Sequence, residues 1–219
     1  MYRVAQCWDD GVVNDIIVAE ICRKYQAKAT FNINPGLRDR TKRKCGWSFQ
    51  GFDVYGLALN EMPSVYEGFQ VASHTMTHPH PSQISPEQFR REAVDARKYI
   101  EDVWQCEARG FAWPFGDFND ECVKILREEG FAYGRTTRNV DSVIPCEEPM
   151  ALPSNCHFLN PDFDRIREKA KKTGVFYFWG HSYEMKDDPR LRERYESIIR
   201  DISADPEARW VDVVDLVTE

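Results

Sequence analysis

The feature that most constrains this chain is a regular alternation of short apolar runs with longer amphipathic ones. "YRVAQCW", "KATFNIN", "GFQVASH", "EARGFAWPFG", "FAYGRTT" and "VFYFWGH" read as buried strands. The segments between them carry helix signals. "NDIIVAEICRKYQ" sets Ile16, Ile17, Ala19, Ile21 and Cys22 on one face. "SPEQFRREAVDARKYIEDVW" brings its own start: Ser85 to cap, Pro86 at the first helical position and Gln88 to complete a capping box. "NDECVKILREEG" and "PDFDRIREKAKKTG" stop at Gly130 and Gly174, "DPRLRERYESIIRDISA" is a further helix, and "RWVDVVDLV" is a closing strand or a strand with a short turn. The polar, glycine-broken stretch "RDRTKRKCGWSFQG" reads as a solvated loop.

Strand–helix–strand units of this length join parallel strands by right-handed crossovers. About seven strands either close into a barrel or form an open doubly wound sheet. The glycine-rich phosphate loop of a dinucleotide fold is missing after the first strand, which favours the α/β barrel. Its reactive residues belong at the C-terminal ends of the strands. With no repeat, low-complexity tract or Pro/Ser-rich linker, a single domain over residues 1–219 is expected.

A net charge of −7 argues against a nucleic-acid partner and against a polybasic membrane anchor. No run approaches the ~18 apolar residues of a membrane span. Seven scattered cysteines without a CxxC pair suggest reduced thiols. Together with an N-terminus that lacks a leader pattern, this leads to the expectation of a cytoplasmic protein, a secreted form staying open if a leader has been trimmed. The oligomeric state is not readable.

Chemistry collects at the strand ends. The first gives Asp9 and Asp10, the third His74 and His78, and the last apolar run His181. Adjacent carboxylates repel unless a cation or a shared proton relieves them. The i, i+4 spacing of His74 and His78 would bring both imidazoles to one side of a helical turn. Two histidines and one carboxylate make a three-ligand site with open positions, the catalytic pattern, suited to zinc, cobalt, nickel, manganese or iron. One aspartate can then ligate while its neighbour takes a proton from water, and His181 supplies the second proton carrier that hydrolysis needs. Non-haem iron oxygenases share the ligand set, but the βα alternation and the spare carboxylate disfavour them.

"CWDDG", "SHTMTHP", "FAWPFG" and "FWGH", in this order and with "KATFNIN", resemble the polysaccharide deacetylases over residues 3–183. The resemblance implies a distorted (β/α) barrel and a hydrolase that removes acetyl groups from N-acetylated sugars with one divalent ion, zinc first. It implies Asp9 as general base, Asp10, His74 and His78 as metal ligands, and His181 as general acid. The Phe115 backbone N–H would help hold the oxyanion and Thr75 would brace the histidine loop. Two departures stand out. Ala112 occupies the place of an arginine that contacts the catalytic aspartate, and Arg135 in "GRTT" is a candidate to fill that space. The family's Asp-Trp motif is not found, Asp141 being the nearest acid. Arg135, Trp113 and His157 are candidate substrate contacts, while Tyr183 and Glu184 are placed to orient His181. The alternatives are a C–N hydrolase for a non-sugar amide or ureide, and a carbohydrate-binding relative without turnover, which would need neither Asp9 nor His181.

Overall fold

A computed structural model describes residues 1–218. The elements are β1 (Tyr2–Asp9), α1 (Asp15–Lys24), β2 (Thr30–Ile33), β3 (Cys45–Phe49), β4 (Phe52–Tyr55), α2 (Met62–Val65), β5 (Gln70–Ser73), α3 (Pro86–Trp104), β6 (Gly110–Ala112), α4 (Asp120–Glu128), β7 (Tyr133–Asn139), β8 (Leu152–Ser154), β9 (Cys156–His157), α5 (Phe163–Thr173), β10 (Val175–Gly180), α6 (Pro189–Ser203), β11 (Ala208–Trp210) and α7 (Asp215–Thr218). Eight parallel strands follow one another as β8-β7-β6-β5-β2-β1-β10-β9, a nearly closed barrel. β11 pairs with Tyr2, Arg3 and Val4 of β1, whose other end, Cys7–Asp9, pairs with β2. No helix of the described residues is long and apolar enough to cross a membrane.

Strand alternation sorts side chains into two layers. In β1, Ala5 and Cys7 join Tyr133, Leu152, Val175 and Tyr177 inside the barrel, while Val4 and Trp8 pack outward with Phe31, Phe158, Phe176 and Tyr195 under the helices. Asp9, Arg135, Thr137 and His181 continue the inward parity of their strands to the upper rim, above this apolar plug. The register levels them: Asp9 lies opposite Asn32, Ala112 opposite Arg135, and Trp8 opposite Gly180.

Asn155 closes the barrel. Its backbone N–H donates to the Tyr177 carbonyl (2.7 Å), its Oδ1 accepts from the Tyr177 N–H (2.8 Å), and its Nδ2 donates to the Val140 carbonyl (3.0 Å). The flanking strands β8 and β9 are three and two residues long, too short to show a period, so the expected count of about seven falls short.

The solvated loop expected over residues 38–51 is corrected in its second half. β3 and β4 form an antiparallel hairpin turned by Gln50 (φ 50°) and Gly51 (φ 80°), both left-handed as a two-residue type I′ turn requires. Trp47 and Phe49, on one face of β3, set their ring edges against Tyr183 at 5.3 and 5.2 Å. The hairpin thus closes over the loops that follow β1 and β10.

The helices start and stop where the sequence signals them. Ser85 Oγ accepts from the Gln88 N–H (3.2 Å) and the Ser85 N–H donates to Gln88 Oε1 (3.0 Å), the capping box of α3. Replacing Ser85 with Ala is expected to lower the unfolding free energy by about 1 kcal/mol with the urea m-value unchanged. Unchanged stability in that titration would mean that packing alone holds the start of α3.

Candidate active site

After β1 the backbone turns through two left-handed residues, Asp10 (φ 81°) and Gly11 (φ 64°). Asp9 keeps the inward direction and the Asp10 carboxylate swings toward the rim. The turn is tied down by Arg38, which donates to the Asp10 carbonyl (2.5 Å) and to Asn34 Oδ1 (2.6 Å), while Asn34 Nδ2 reaches Asp10 Oδ1 at 3.3 Å. Behind it, the fully buried Asp15 accepts from Ser182 Oγ (2.5 Å), Tyr66 Oη (2.6 Å) and the Val12 N–H (3.2 Å). Burial pushes its carboxyl up to about 7 despite those donors. Asp15 therefore fastens the loop of Asp10 to the loop of His181.

His74 and His78 meet in a loop, not on the helical turn that their spacing suggested. The chain is left-handed at Thr75 (φ 64°) and His78 (φ 56°), and the Thr75 hydroxyl accepts from the His78 N–H (3.0 Å). From α3, Glu92 holds the same loop through the Met76 N–H (3.0 Å), the Thr77 N–H (2.7 Å) and Thr77 Oγ1 (2.7 Å). His74 Nδ1 lies 2.8 Å from the Ala112 carbonyl, so Nδ1 carries the proton and Nε2 presents a lone pair. The two Nε2 atoms are 3.1 Å apart, and Asp10 Oδ1 lies 3.7 Å from His74 Nε2 and 3.6 Å from His78 Nε2. Burial lowers both imidazoles, with His74 adding to the effect on His78, which falls to about 4. Two neutral nitrogens and a carboxylate oxygen converging on one point fit a divalent cation.

Asp9 is buried beside this point. Its Oδ1 accepts from Asn32 Nδ2 (2.7 Å) and its Oδ2 is paired with Arg135. Burial alone would push Asp9 up, but Arg135, His74 and His181, with the Asn32 amide, hold it well below the usual carboxylate range. Arg135 is 1% exposed; it serves Asp9 from inside the barrel and also lines the cavity. Its guanidinium also lies over the Trp179 ring at 5.0 Å. Ala112, its neighbour in register, leaves the room that the arginine occupies.

His181 Nε2 stands 3.8 Å from Asp9 Oδ2 on the other side. Its Nδ1 lies 3.3 Å from Glu184 Oε2, and its backbone N–H donates to the same oxygen at 3.0 Å. Burial works against a charged ring here, but Glu184, Asp10 and Asp9 outweigh it and raise His181 to about 9. His157, a candidate substrate contact, lies elsewhere: its Nε2 is 2.8 Å from Glu184 Oε2, behind His181 and off the cavity wall. Asp141 sits on an exposed loop away from the site.

The cavity above these groups measures about 470 Å³ and is walled by Leu37, Trp47, Trp113, Phe115, Trp179 and Tyr183. Trp113 contributes an edge only, because its ring stacks on Phe89 and Phe118 and its Nε1 donates to the Met150 carbonyl (2.8 Å). Phe115 is left-handed (φ 58°), and its ring stacks on His80 at 3.9 Å and meets His78 edge-on at 4.5 Å. Asn32, Asn34, Arg38, Asp15 and Trp47 were not read as site residues from the sequence. An asparagine two and four positions past the start of β2 was the one available cue.

Arg135→Met leaves the Asp9 carboxylate buried without its cation, and is expected to cost about 3–5 kcal/mol at pH 7. Because Asp9 is depressed in the folded state, the pair's contribution is complete above the unfolded carboxylate pKa of about 4 and fades as pH falls below it. The gap between the parent and Arg135→Met should therefore narrow in acid-titrated denaturant melts. A gap independent of pH between 7 and 3 would contradict the pairing.

The family model described as Polysaccharide deacetylase matches residues 2–134. The peptidoglycan-N-acetylglucosamine deacetylase of Bacillus cereus is 28% identical over 114 residues, 52% of this chain and 46% of its own length. The chain spans less than half the length of the curated relatives it matches, 43% and 46%. Among solved structures, the Streptococcus pyogenes deacetylase PplD in complex with acetate is 25% identical, with a TM-score of 0.57 over 67% of this chain and 61% of that one. A pseudoenzyme of the CE4 family from Bacillus anthracis shares the fold at 17% identity, with a TM-score of 0.61 over 100% of this chain and 66% of that one. The match spans more than half of the chain and contains Asp9, Asp10, His74 and His78: the chain belongs to the polysaccharide deacetylase family.

Proposed function

We propose that this chain hydrolyses the N-acetyl amide of an acetylated sugar, using a divalent cation held by Asp10, His74 and His78. The observation that carries this reading is an ionised, buried Asp9 set between that donor triad and the imidazole of His181. A bound cation would supply Lewis acidity for the acyl oxygen and for water. Asp9, kept charged by Arg135, takes a proton from the attacking water. The Phe115 N–H, at the cavity wall, is the candidate donor to the developing oxyanion, as the family resemblance implies. His181, protonated at neutral pH, gives its proton to the departing amine nitrogen, so that water and amide become acetate and free amine.

The cavity suits a neutral substrate. Its charged lining groups, Asp9, Asp10, Arg135 and His181, are committed to one another, to Glu184 or to the cation, and the remaining wall is largely aromatic. Aromatic faces of this kind stack on sugar rings. The relatives act on related material: one is described as a peptidoglycan-N-acetylglucosamine deacetylase and another was solved with acetate. Ala112 favoured a non-sugar amide only while Asp9 lacked an arginine, and Arg135 removes that ground. A binding role without turnover is met by a family pseudoenzyme of the same fold. Such a role would have no use for a paired base and acid.

Zinc-loaded protein is expected to release acetate from N-acetylchitooligosaccharides, with Asp9→Asn lowering kcat by about 10²-fold or more. An unchanged rate in Asp9→Asn would remove the base assignment, and cleavage of ureides without acetate release would favour the alternative hydrolase. Chelation should abolish turnover and added zinc restore it, and His74→Ala should lose metal stoichiometry. Because His181 works as an acid raised to about 9, activity should fall as pH rises through that value. Glu184→Gln should move the alkaline limb to lower pH, and a limb that stays in place would dissociate Glu184 from the acid.

A further inference from the structure

We propose that His157 is a positioning residue for this reaction, anchoring the Glu184 carboxylate that orients His181. The inference rests on the deacetylase reading above, and its argument is one of hydrogen-bond direction. The Leu159 N–H donates to His157 Nδ1 at 3.2 Å, which commits that nitrogen as a lone pair. The proton of the neutral ring is then on Nε2, which lies 2.8 Å from Glu184 Oε2. The same oxygen faces both the backbone N–H and the Nδ1 of His181. Glu184 and His181 ride on the loop after β10, whereas His157 belongs to a barrel strand, paired in register with Trp179 and set edge-on to its ring at 4.8 Å. His157 is thus the link from the rigid sheet to a carboxylate that would otherwise be held only by its own loop.

The cluster His157, Glu184 and His181 also has the spacing of a cation site. The tautomer argues against that use. With Nδ1 already accepting from Leu159, a cation at Nε2 would require an imidazolate. The close approach of both imidazoles to Glu184 Oε2 needs none.

A residue that acts through the proton donor should matter only where the leaving group needs a proton. An amine must be protonated to depart, whereas 4-nitrophenolate leaves unaided. His157→Ala is expected to lower kcat on an N-acetyl sugar about tenfold, a fraction of the ~10²–10⁴ available to general acid catalysis. KM and the rate on 4-nitrophenyl acetate should stay within about twofold. His157→Gln, whose Nε2 can still donate to Glu184, should recover most of the amide activity. In the metal-free protein labelled with ¹⁵N-histidine, the ring of His157 should show the neutral Nε2–H tautomer. Equal losses on amide and ester, or an Nδ1–H or doubly protonated His157, would overturn the proposal. If the parent protein releases no acetate from any N-acetyl sugar, the deacetylase reading fails by itself. The tautomer and the comparison on whichever amide is cleaved still decide the part played by His157.

Discussion

Asp9 and Arg135 form an ion pair that is almost completely shielded from water, and much of the upper barrel is arranged around it. Removing two charges from solvent costs several kcal/mol per ion, which a pair recovers only with close geometry and further hydrogen bonds. The barrel supplies both requirements. Inward parity on β1 and β7 aims the two side chains at each other, Ala112 leaves the guanidinium its space, and Asn32 satisfies the second carboxylate oxygen. The outcome is a carboxylate held in its ionised form beside a second one. Asp10 can then turn away toward the histidines without the two aspartates contesting one proton.

The site divides by chain position. The candidate cation site, Asp10, His74 and His78, comes from the loops after β1 and β5, early in the sequence. The groups proposed to steady and complete proton transfer, namely Arg135, His157, His181 and Glu184, come from β7 onward. The family match ends at residue 134, one position before Arg135.

The legible elements are those whose signal is local. Six of the barrel strands, the capped helices and the strand-end clustering of Asp9, Asp10, His74, His78 and His181 follow from periodicity and punctuation alone. β8 and β9 are too short for a period, and the hairpin turn is Gln50–Gly51, which lacks the asparagine or aspartate that usually announces a type I′ turn. His74 and His78 were joined correctly but by the wrong geometry, since left-handed residues are invisible to a spacing rule. Arg135 was reachable because Ala112 left a vacancy to explain. His157 is legible as a candidate substrate contact, but its contact with Glu184 is not, because the two are brought together only by the pairing of β9 with β10.

Asp10, Thr75, His78 and Phe115 each carry a side chain where the backbone turns left-handed, at φ 81°, 64°, 56° and 58°. Conformations of this kind cost about 1–3 kcal/mol apiece. Glycine would relieve all four positions, yet at Asp10 and His78 it would delete a member of the candidate cation site and at Thr75 the hydroxyl that folds the histidine loop. The rim is therefore held away from its own stability optimum, and the apolar plug and helix layer beneath must carry the difference. Selection for thermal robustness alone would erode this rim first, so a hardier descendant of this chain would tend toward an inert one.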